Sequence, residues 1–98
     1  MPSKKTAIRA YDASRYLKTE GDRQAYLDAA LADGDPRVIA AVLGDIAKAK
    51  GMSKVARAAG LGRESLYKAL SPEGNPEFGT ILKVMQALGY QLHATAAE

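Results

Sequence analysis

The stretch MSKVARAAGLGRESLYKALS, residues 52–71, decides the fold of this 98-residue chain. Its apolar spacing predicts two short helices, residues 53–59 and about 63–70, joined by a tight turn. Gly60 lies at the reversal, where a left-handed backbone costs glycine little because it has no Cβ. The Ser53 hydroxyl is placed to cap the first helix. The stretch therefore predicts a helix-turn-helix, a unit that proteins insert into the major groove of DNA.

The two predicted helices have an inward and an outward side. The inward positions are Val55, Ala56, Ala59, Leu61, Leu66 and Ala69, with the small Ala56 at the helix crossing. The outward positions of the second helix are Gly62, Arg63, Glu64, Tyr67 and Lys68. This outer stripe is rich in cations and hydrogen-bond donors, which base edges and phosphates require. An ordinary helical corner is the alternative, but apolar spacing, Ala56, Gly60 and the cationic stripe together favour a DNA-reading unit.

Length and composition indicate one globular domain with a single modest core. The apolar fraction is 47% and the charged fraction 26%, both ordinary for such a domain. The absence of cysteine excludes a disulfide scaffold and any thiolate nucleophile or metal ligand. No apolar run approaches the roughly 20 residues of a membrane span, and no signal peptide opens the chain. We therefore expect a soluble, cytoplasmic protein without a membrane partner.

The net charge of +3 is unevenly distributed along the chain. Residues 20–45 contain six acids and two bases, a net of −4, whereas residues 48–68 contain six bases and one acid, a net of +5. The basic block coincides with the predicted DNA-reading unit, as expected of a surface that neutralises phosphates. For the acidic block, a basic partner and a solvated helix face remain equally open.

The segment before this unit reads as a basic arm followed by helices. Residues 1–10 are predicted to be a flexible arm, and residues 11–98 the folded domain. Asp12 or Ser14 caps a predicted short helix that carries residues 16 and 17 and ends near residue 19. Gly21-Asp22 is interpreted as a break before a helix over residues 23–32, which ends at Gly34 and buries one stripe. That stripe is Tyr26, Leu27, Ala30 and Leu31.

Asp35-Pro36 is the strongest helix start in the chain, a capping aspartate followed by proline at the first helical position. The helix is predicted to run to Lys50 and stop at Gly51. Its buried face is predicted to be Ile39, Val42, Leu43, Ile46 and Ala47, while Ala40, Ala41 and Gly44 are small enough to admit a neighbouring helix. Lys48 and Lys50 suit the negative end of the helix dipole.

After the central unit, residues 72–76 form a turn that no helix crosses. A final helix over about residues 77–88 is predicted to end at Gly89. Its core face is predicted to be Phe78, Ile81, Leu82, Met85 and Leu88. Residues 90–94 alternate apolar and polar side chains, so they are either a short strand that pairs across a dimer axis or an irregular tail.

The chain is poor in groups that could perform catalysis. His93 is its only histidine and has no metal-ligand spacing around it. Asp33 and Asp35 flank a helix junction, where capping explains them better than acid–base chemistry. The Gly60-Leu61-Gly62 turn follows a helix, so it is not a phosphate-binding loop. We expect no enzyme activity, no metal and no cofactor.

The segments DASRYLKTEGDRQAYLDAAL (residues 12–31) and GDPRVIAAVLGDIAKAKGMSKVARAAGLGRESLYKALSPEGNPEFGTILKVMQALGYQL (residues 34–92) resemble the addiction-module antidote family of lambda-repressor-like proteins. These are the antitoxins of bacterial toxin–antitoxin pairs. The resemblance covers about residues 11–92, nearly the whole chain, and its most distinctive part is LGDIAKAKGMSKVARAAGL followed by SLYKALSPEGNP. It implies an all-α, compact bundle of five to six helices of lambda-repressor-like type, usually dimeric.

The resemblance also implies a type II antitoxin that neutralises a RelE/ParE-type toxin and represses its own operon. Carried onto this chain, the base-reading positions are Arg63, Glu64, Tyr67 and Lys68, and Ser53 and Lys54 are placed for phosphates. Gly62 stands where a serine or threonine often caps the recognition helix. The implied partners are operator DNA, the cognate toxin and a second copy of the chain, with the acidic helices over residues 21–45 as the expected toxin surface.

Two other functions are compatible with the sequence. One is a stand-alone, phage-type helix-turn-helix repressor without a toxin. The other is a protein-interaction module whose helix pair packs on a partner and never meets DNA. A neighbouring gene for a small basic toxin would favour the antitoxin over the stand-alone repressor. Salt-sensitive DNA binding would exclude the interaction module, which predicts none.

Overall fold

The computed structural model describes residues 16–97. This range contains five α-helices and no strand. Their order is α1 (Glu20–Asp33), α2 (Pro36–Lys50), α3 (Met52–Ala59), α4 (Arg63–Ala69) and α5 (Phe78–Ala87). The predicted all-α class is confirmed. The predicted basic arm and the predicted caps Asp12 and Ser14 lie outside the described residues.

Helix α1 begins with a capping box. The Asp22 backbone N–H donates to Thr19 Oγ1 at 3.0 Å, and the Thr19 N–H donates back to Asp22 Oδ2 at 3.3 Å. The predicted break at Gly21-Asp22 is therefore wrong, because Asp22 is the partner that closes the first turn. The predicted earlier helix carries Tyr16, which lies in a 3-10 helix, but its predicted end near Thr19 is wrong because Leu17 and Lys18 are not helical; the rest of that helix lies outside the described residues.

Helix α2 is the central element and packs against α1, α3 and α5. Its start is as predicted, with Pro36 at the beginning and the Asp35 carboxylate accepting from the Arg37 backbone N–H at 3.0 Å. A Cβ on Gly44 would lie 3.4 Å from Leu70 Cβ and from the Leu70 carbonyl oxygen. This confirms that Gly44 lets the end of the α4 segment approach α2 closely.

The core collects apolar side chains from every helix. Its buried members are Leu17, Leu27, Ala30, Ala40, Val42, Leu43, Ile46, Ala47, Met52, Val55, Ala56, Leu66, Leu70, Val84, Met85 and Leu88. Val84 is fully buried although the sequence prediction omitted it, and Phe78, predicted for the core, is 66% exposed. Ile81, Val84, Met85 and Leu88 follow the i, i+3, i+4, i+7 spacing of one helical stripe, and Phe78 lies one turn beyond its end.

The segment after α5 folds back onto the helices. Gly89 ends the helix as predicted, and the Tyr90 N–H donates to the Met85 carbonyl at 2.9 Å. Lys50 Nζ, from the end of α2, donates to the Leu88 carbonyl at 3.0 Å. Residues 91–97 have no regular secondary structure. The single chain thus has the irregular tail, and the strand that would pair across a dimer axis stays a prediction.

Tyr90 provides a test of this folded-back segment. Burial of its hydroxyl beside the Glu20 carboxylate raises the pKa of Tyr90 to about 12. Because this folded-state pKa exceeds the usual tyrosine value of 10.0, the stability that results is complete below pH 10 and is lost as the pH rises towards 12. Ultraviolet titration of the five tyrosines should show a late-ionising phenol that Tyr90→Phe removes. If Tyr90→Phe removes an early-ionising phenol instead, the segment does not pack as described.

Gly74, in the loop between α4 and α5, has no room for a side chain. A Cβ there would overlap the backbone carbonyl oxygens of Lys68 and Ala69 at the end of α4. Because backbone atoms cannot rotate away, Gly74→Ala should lower the free energy of unfolding by about 1–3 kcal/mol. Gly79 is the matched control, since a Cβ at that helical position meets nothing within 4 Å. Urea denaturation should show that Gly79→Ala is neutral or slightly stabilising; an equal loss in both variants would contradict this account.

Candidate functional site

Helix α3 begins one residue earlier than predicted, at Met52, which is buried. Gly51 is its N-cap and no side chain caps it, so the predicted Ser53 cap is wrong. Ser53 lies inside the first turn and is exposed, which leaves its hydroxyl available to an external acceptor. The opposite side of α3 is buried through Val55 and Ala56, and Ala56 is only 2% exposed, as expected for a close helix crossing.

The turn after α3 is closed by two backbone hydrogen bonds. Gly60 has φ 73°, in the left-handed region, and its N–H donates to the Arg57 carbonyl at 3.1 Å. The Leu61 N–H donates to the Ala56 carbonyl at 2.9 Å, which completes a Schellman motif. The predicted role of Gly60 is confirmed. This fixed turn sets the direction in which α4 leaves α3.

Helix α4 is anchored from one side only. Leu66 is fully buried and Leu70, just after the helix, is 5% exposed, so both point into the core. Gly62 is the N-cap, and no side-chain hydrogen bond caps the helix. The opposite side of α4 is consequently held out to solvent.

All seven residues predicted for DNA contact are exposed. They are Ser53 and Lys54 on α3, Gly62 in the turn, and Arg63, Glu64, Tyr67 and Lys68 on α4. The structure brings two of them into contact, because the Arg63 guanidinium lies over the Tyr67 ring, 5.7 Å from its centroid. The i, i+4 spacing of this pair is the signal that the sequence already contained. This cation–π contact favours one placement of the guanidinium, which stays exposed to solvent.

The cations of this surface are not neutralised by neighbours. Within residues 16–97, no ion pair involves Lys54, Arg57, Arg63 or Lys68. Arg57, which the sequence prediction counted in the basic block without assigning a role, is exposed in the last turn of α3. Unpaired cations can bind phosphate oxygens without first breaking an internal salt bridge.

The acidic block, in contrast, is partly used inside the fold. The Glu20 carboxylate accepts from Arg23 at 3.0 Å and lies 3.8 Å from Lys50 Nζ, and the Arg23 hydrogen bond holds the pKa of Glu20 below its usual value. The Asp45 carboxylate accepts from the Tyr26 hydroxyl at 2.8 Å, which joins α1 to α2. Asp22 and Asp35 cap helices. The block is therefore less available to a partner than its charge count indicated.

The described residues offer little to other chemistries. No group of three or more potential metal ligands occurs within residues 16–97, and His93 is exposed. None of the helices there combines the length and apolarity that crossing a bilayer requires. A shallow depression of about 250 Å³ lies beside Tyr67, between the end of α2 and the end of α4, with Lys48 and Ser71 in its lining. What the exposed site can do chemically is bind a polyanion.

Comparison with known proteins finds a similar protein and a matching family model. The chain is 46% identical, over 84 residues, to a Haemophilus influenzae (strain ATCC 51907 / DSM 11121 / KW20 / Rd) protein described as an "Uncharacterized protein", and the match covers 86% of this chain and 87% of the relative. No solved structure matches the chain. The family model described as "Probable addiction module antidote protein" matches residues 7–96. The chain therefore belongs to this family of addiction module antidote proteins.

Proposed function

We propose that the chain is the DNA-binding antitoxin of a type II toxin–antitoxin module. In this proposal it neutralises a RelE/ParE-type toxin and represses its own operon as a cytoplasmic homodimer. Membership of the antidote family supports the antitoxin role. The exposed cations of α3 and α4, which form no ion pair within residues 16–97, support the DNA-binding role.

One observation carries the DNA half of the proposal. Leu66 anchors α4 in the core, while Arg63, Tyr67 and Lys68 remain on the exposed side. In a helix-turn-helix, the second helix enters the major groove and its first residues meet base edges, whereas the first helix crosses the backbone. With α4 as the recognition helix, its exposed side chains read bases, and Ser53 and Lys54 on α3 bind phosphates.

The N-terminus of α4 suits this role because Gly62 and Arg63 are exposed and no side chain caps the helix. Gly62 is the N-cap but has no side chain, so the backbone of the turn can approach a phosphate closely. The bidentate geometry of Arg63 matches the O6 and N7 acceptors of guanine. Glu64, next to it, can accept from a cytosine amino group and would reject bases that present only acceptors.

A gel-shift titration on the DNA upstream of the gene tests the DNA-binding role. We expect a specific complex whose affinity falls steeply with salt, because bound phosphates release counterions. A dimer should require half-sites about 34 Å apart, or roughly ten base pairs. Absence of salt-sensitive DNA binding would overturn this role and favour the interaction module.

Co-expression tests the antitoxin role. Induction of the toxin encoded beside the gene should arrest growth, and this chain should relieve the arrest. DNA binding without relief, or a gene neighbourhood without such a toxin, would leave the stand-alone repressor as the function.

A further inference from the structure

An apolar groove of about 260 Å³ lies between the start of α2, helix α5 and the loop before α5. Its apolar lining includes Leu31, Ile39, Pro76, Phe78, Ile81 and Leu92. None of its lining residues belongs to α3 or α4, so it is separate from the proposed DNA surface. The groove is therefore a second candidate site of this chain.

The groove exposes side chains that folding normally buries. Phe78 is 66% exposed and Leu92 is 42% exposed, and both lie in its lining. The sequence pattern placed Phe78 in the core, yet the core closes without it. Contiguous exposed apolar surface bounded by polar residues is typical of a protein-binding site. A partner that covered Phe78 and Leu92 would remove their apolar surface from water, and this burial would stabilise the complex.

The charge around the groove indicates what kind of partner fits. Asp35, Glu73 and Glu77 are exposed and directly adjoin lining residues along the chain, while Arg37 is itself in the lining. Three carboxylates and one guanidinium give this border a net charge of −2. Complementary charge across an interface steers association and suppresses wrong partners. The border therefore favours a segment that carries basic residues around an apolar side chain.

A second copy of this chain fits the groove poorly. A two-fold interface brings the same surface of both copies together. Two borders of the same negative sign would then face each other, which is unfavourable. The proposed homodimer should consequently form through a different surface.

We propose that this groove is the toxin-binding surface, and that it receives an apolar side chain presented on a basic segment of the toxin. This inference rests on the antitoxin role proposed above. It replaces the broad acidic surface expected from residues 21–45 with a defined site, in which α2 contributes its start and α5 contributes Phe78. The site leaves α3 and α4 uncovered, so one chain can hold the toxin and DNA together.

The first test measures the affinity of the toxin encoded beside the gene for purified variants. Phe78→Ser and Leu92→Ser should each weaken binding about tenfold or more, as expected for apolar anchors at the centre of an interface. Val38→Ser is the matched control, because Val38 is 39% exposed on α2 but lies outside the lining. All three variants should keep the circular dichroism of the wild type and its operator affinity, which verifies the fold and the separate DNA surface.

The second test addresses the charged border. Glu77→Lys should weaken toxin binding, and the loss should shrink at high salt because the interaction is electrostatic. Glu77 is a suitable position because its side chain does not cap α5. Asp28→Lys, a change of the same charge at an exposed residue of α1 outside the lining, should have a smaller effect.

The possible outcomes separate this inference from the proposed function. If the wild type does not bind the toxin, the antitoxin role fails and the groove assignment fails with it. If the wild type binds and Phe78→Ser binds equally well, only the groove assignment is overturned. Conversion of a dimer to a monomer by Phe78→Ser would assign the groove to a second copy. If the effect of Phe78→Ser on toxin binding vanishes when residues 1–10 are deleted, the groove would be assigned to the chain's own N-terminal segment.

Discussion

Replacing Arg63 with alanine should weaken binding to the specific operator by about 1–3 kcal/mol, roughly a fivefold to 150-fold loss, if its guanidinium pairs with a guanine. The structure gives the reason for expecting a large effect at this residue. The guanidinium lies over the Tyr67 ring, 5.7 Å from its centroid, and this cation–π contact favours one placement of the side chain before DNA binds. Quantitative gel shifts with operator and random DNA measure the change on each.

Lys54 is the matched control for Arg63. It is also an exposed cation without an ion pair among the described residues, but it lies on α3, where the proposed geometry gives it a phosphate. Lys54→Ala should therefore weaken binding to operator and random DNA alike and reduce the salt slope by about one unit. If Arg63→Ala also weakens both DNAs equally, Arg63 contacts a phosphate and base reading must come from other residues of α4.

Most of the fold could be predicted because the residues close to each helix end determine where the helix begins or stops. The Asp35 cap, the Gly51 stop and the left-handed Gly60 each follow from the few residues around them. The errors arose where local signals compete. Gly21 resembles a helix breaker, but the capping box between Thr19 and Asp22 outweighs it and starts α1 earlier.

Tertiary features were harder to obtain from the sequence. Phe78 and Val84 both lie on apolar positions of α5, and only the packing of α5 against α3 and α2 shows that Val84 is buried and Phe78 is not. Likewise, the closeness of Gly74 to the end of α4 depends on how the loop folds back, which residue spacing does not encode. The groove beside Phe78 was missed for this reason.

All the residues predicted for the candidate DNA site are exposed, and their contacts with DNA stay a prediction. Helical periodicity separates the two sides of a short helix once one side is known to be apolar. The partners of the acidic residues were not predictable in the same way. The Tyr26–Asp45 hydrogen bond joins residues 19 apart, and a local count of charge cannot show that such a carboxylate is already engaged.

Leu66→Ala should have the largest effect on stability, a loss of about 2–5 kcal/mol in the free energy of unfolding. Leu66 is the fully buried residue of α4, and it belongs to the same core as Val55 and Leu70. Removing its side chain leaves a cavity at the point where α4 is attached to the rest of the protein. Since the total free energy of unfolding of a domain of this size is only about 5–15 kcal/mol, urea denaturation should detect the change readily.

Ser65 is the control on the same helix, because it is exposed and Ser65→Ala should change stability by no more than about 0.5 kcal/mol.

Operator affinity adds a second readout for Leu66→Ala. A helix of seven residues is too short to be stable by itself, so α4 depends on this anchor to present Arg63 and Lys68. DNA binding should therefore fall even under conditions in which the variant remains folded. Unchanged operator affinity in a folded Leu66→Ala variant would mean that α4 does not present the DNA-reading side chains.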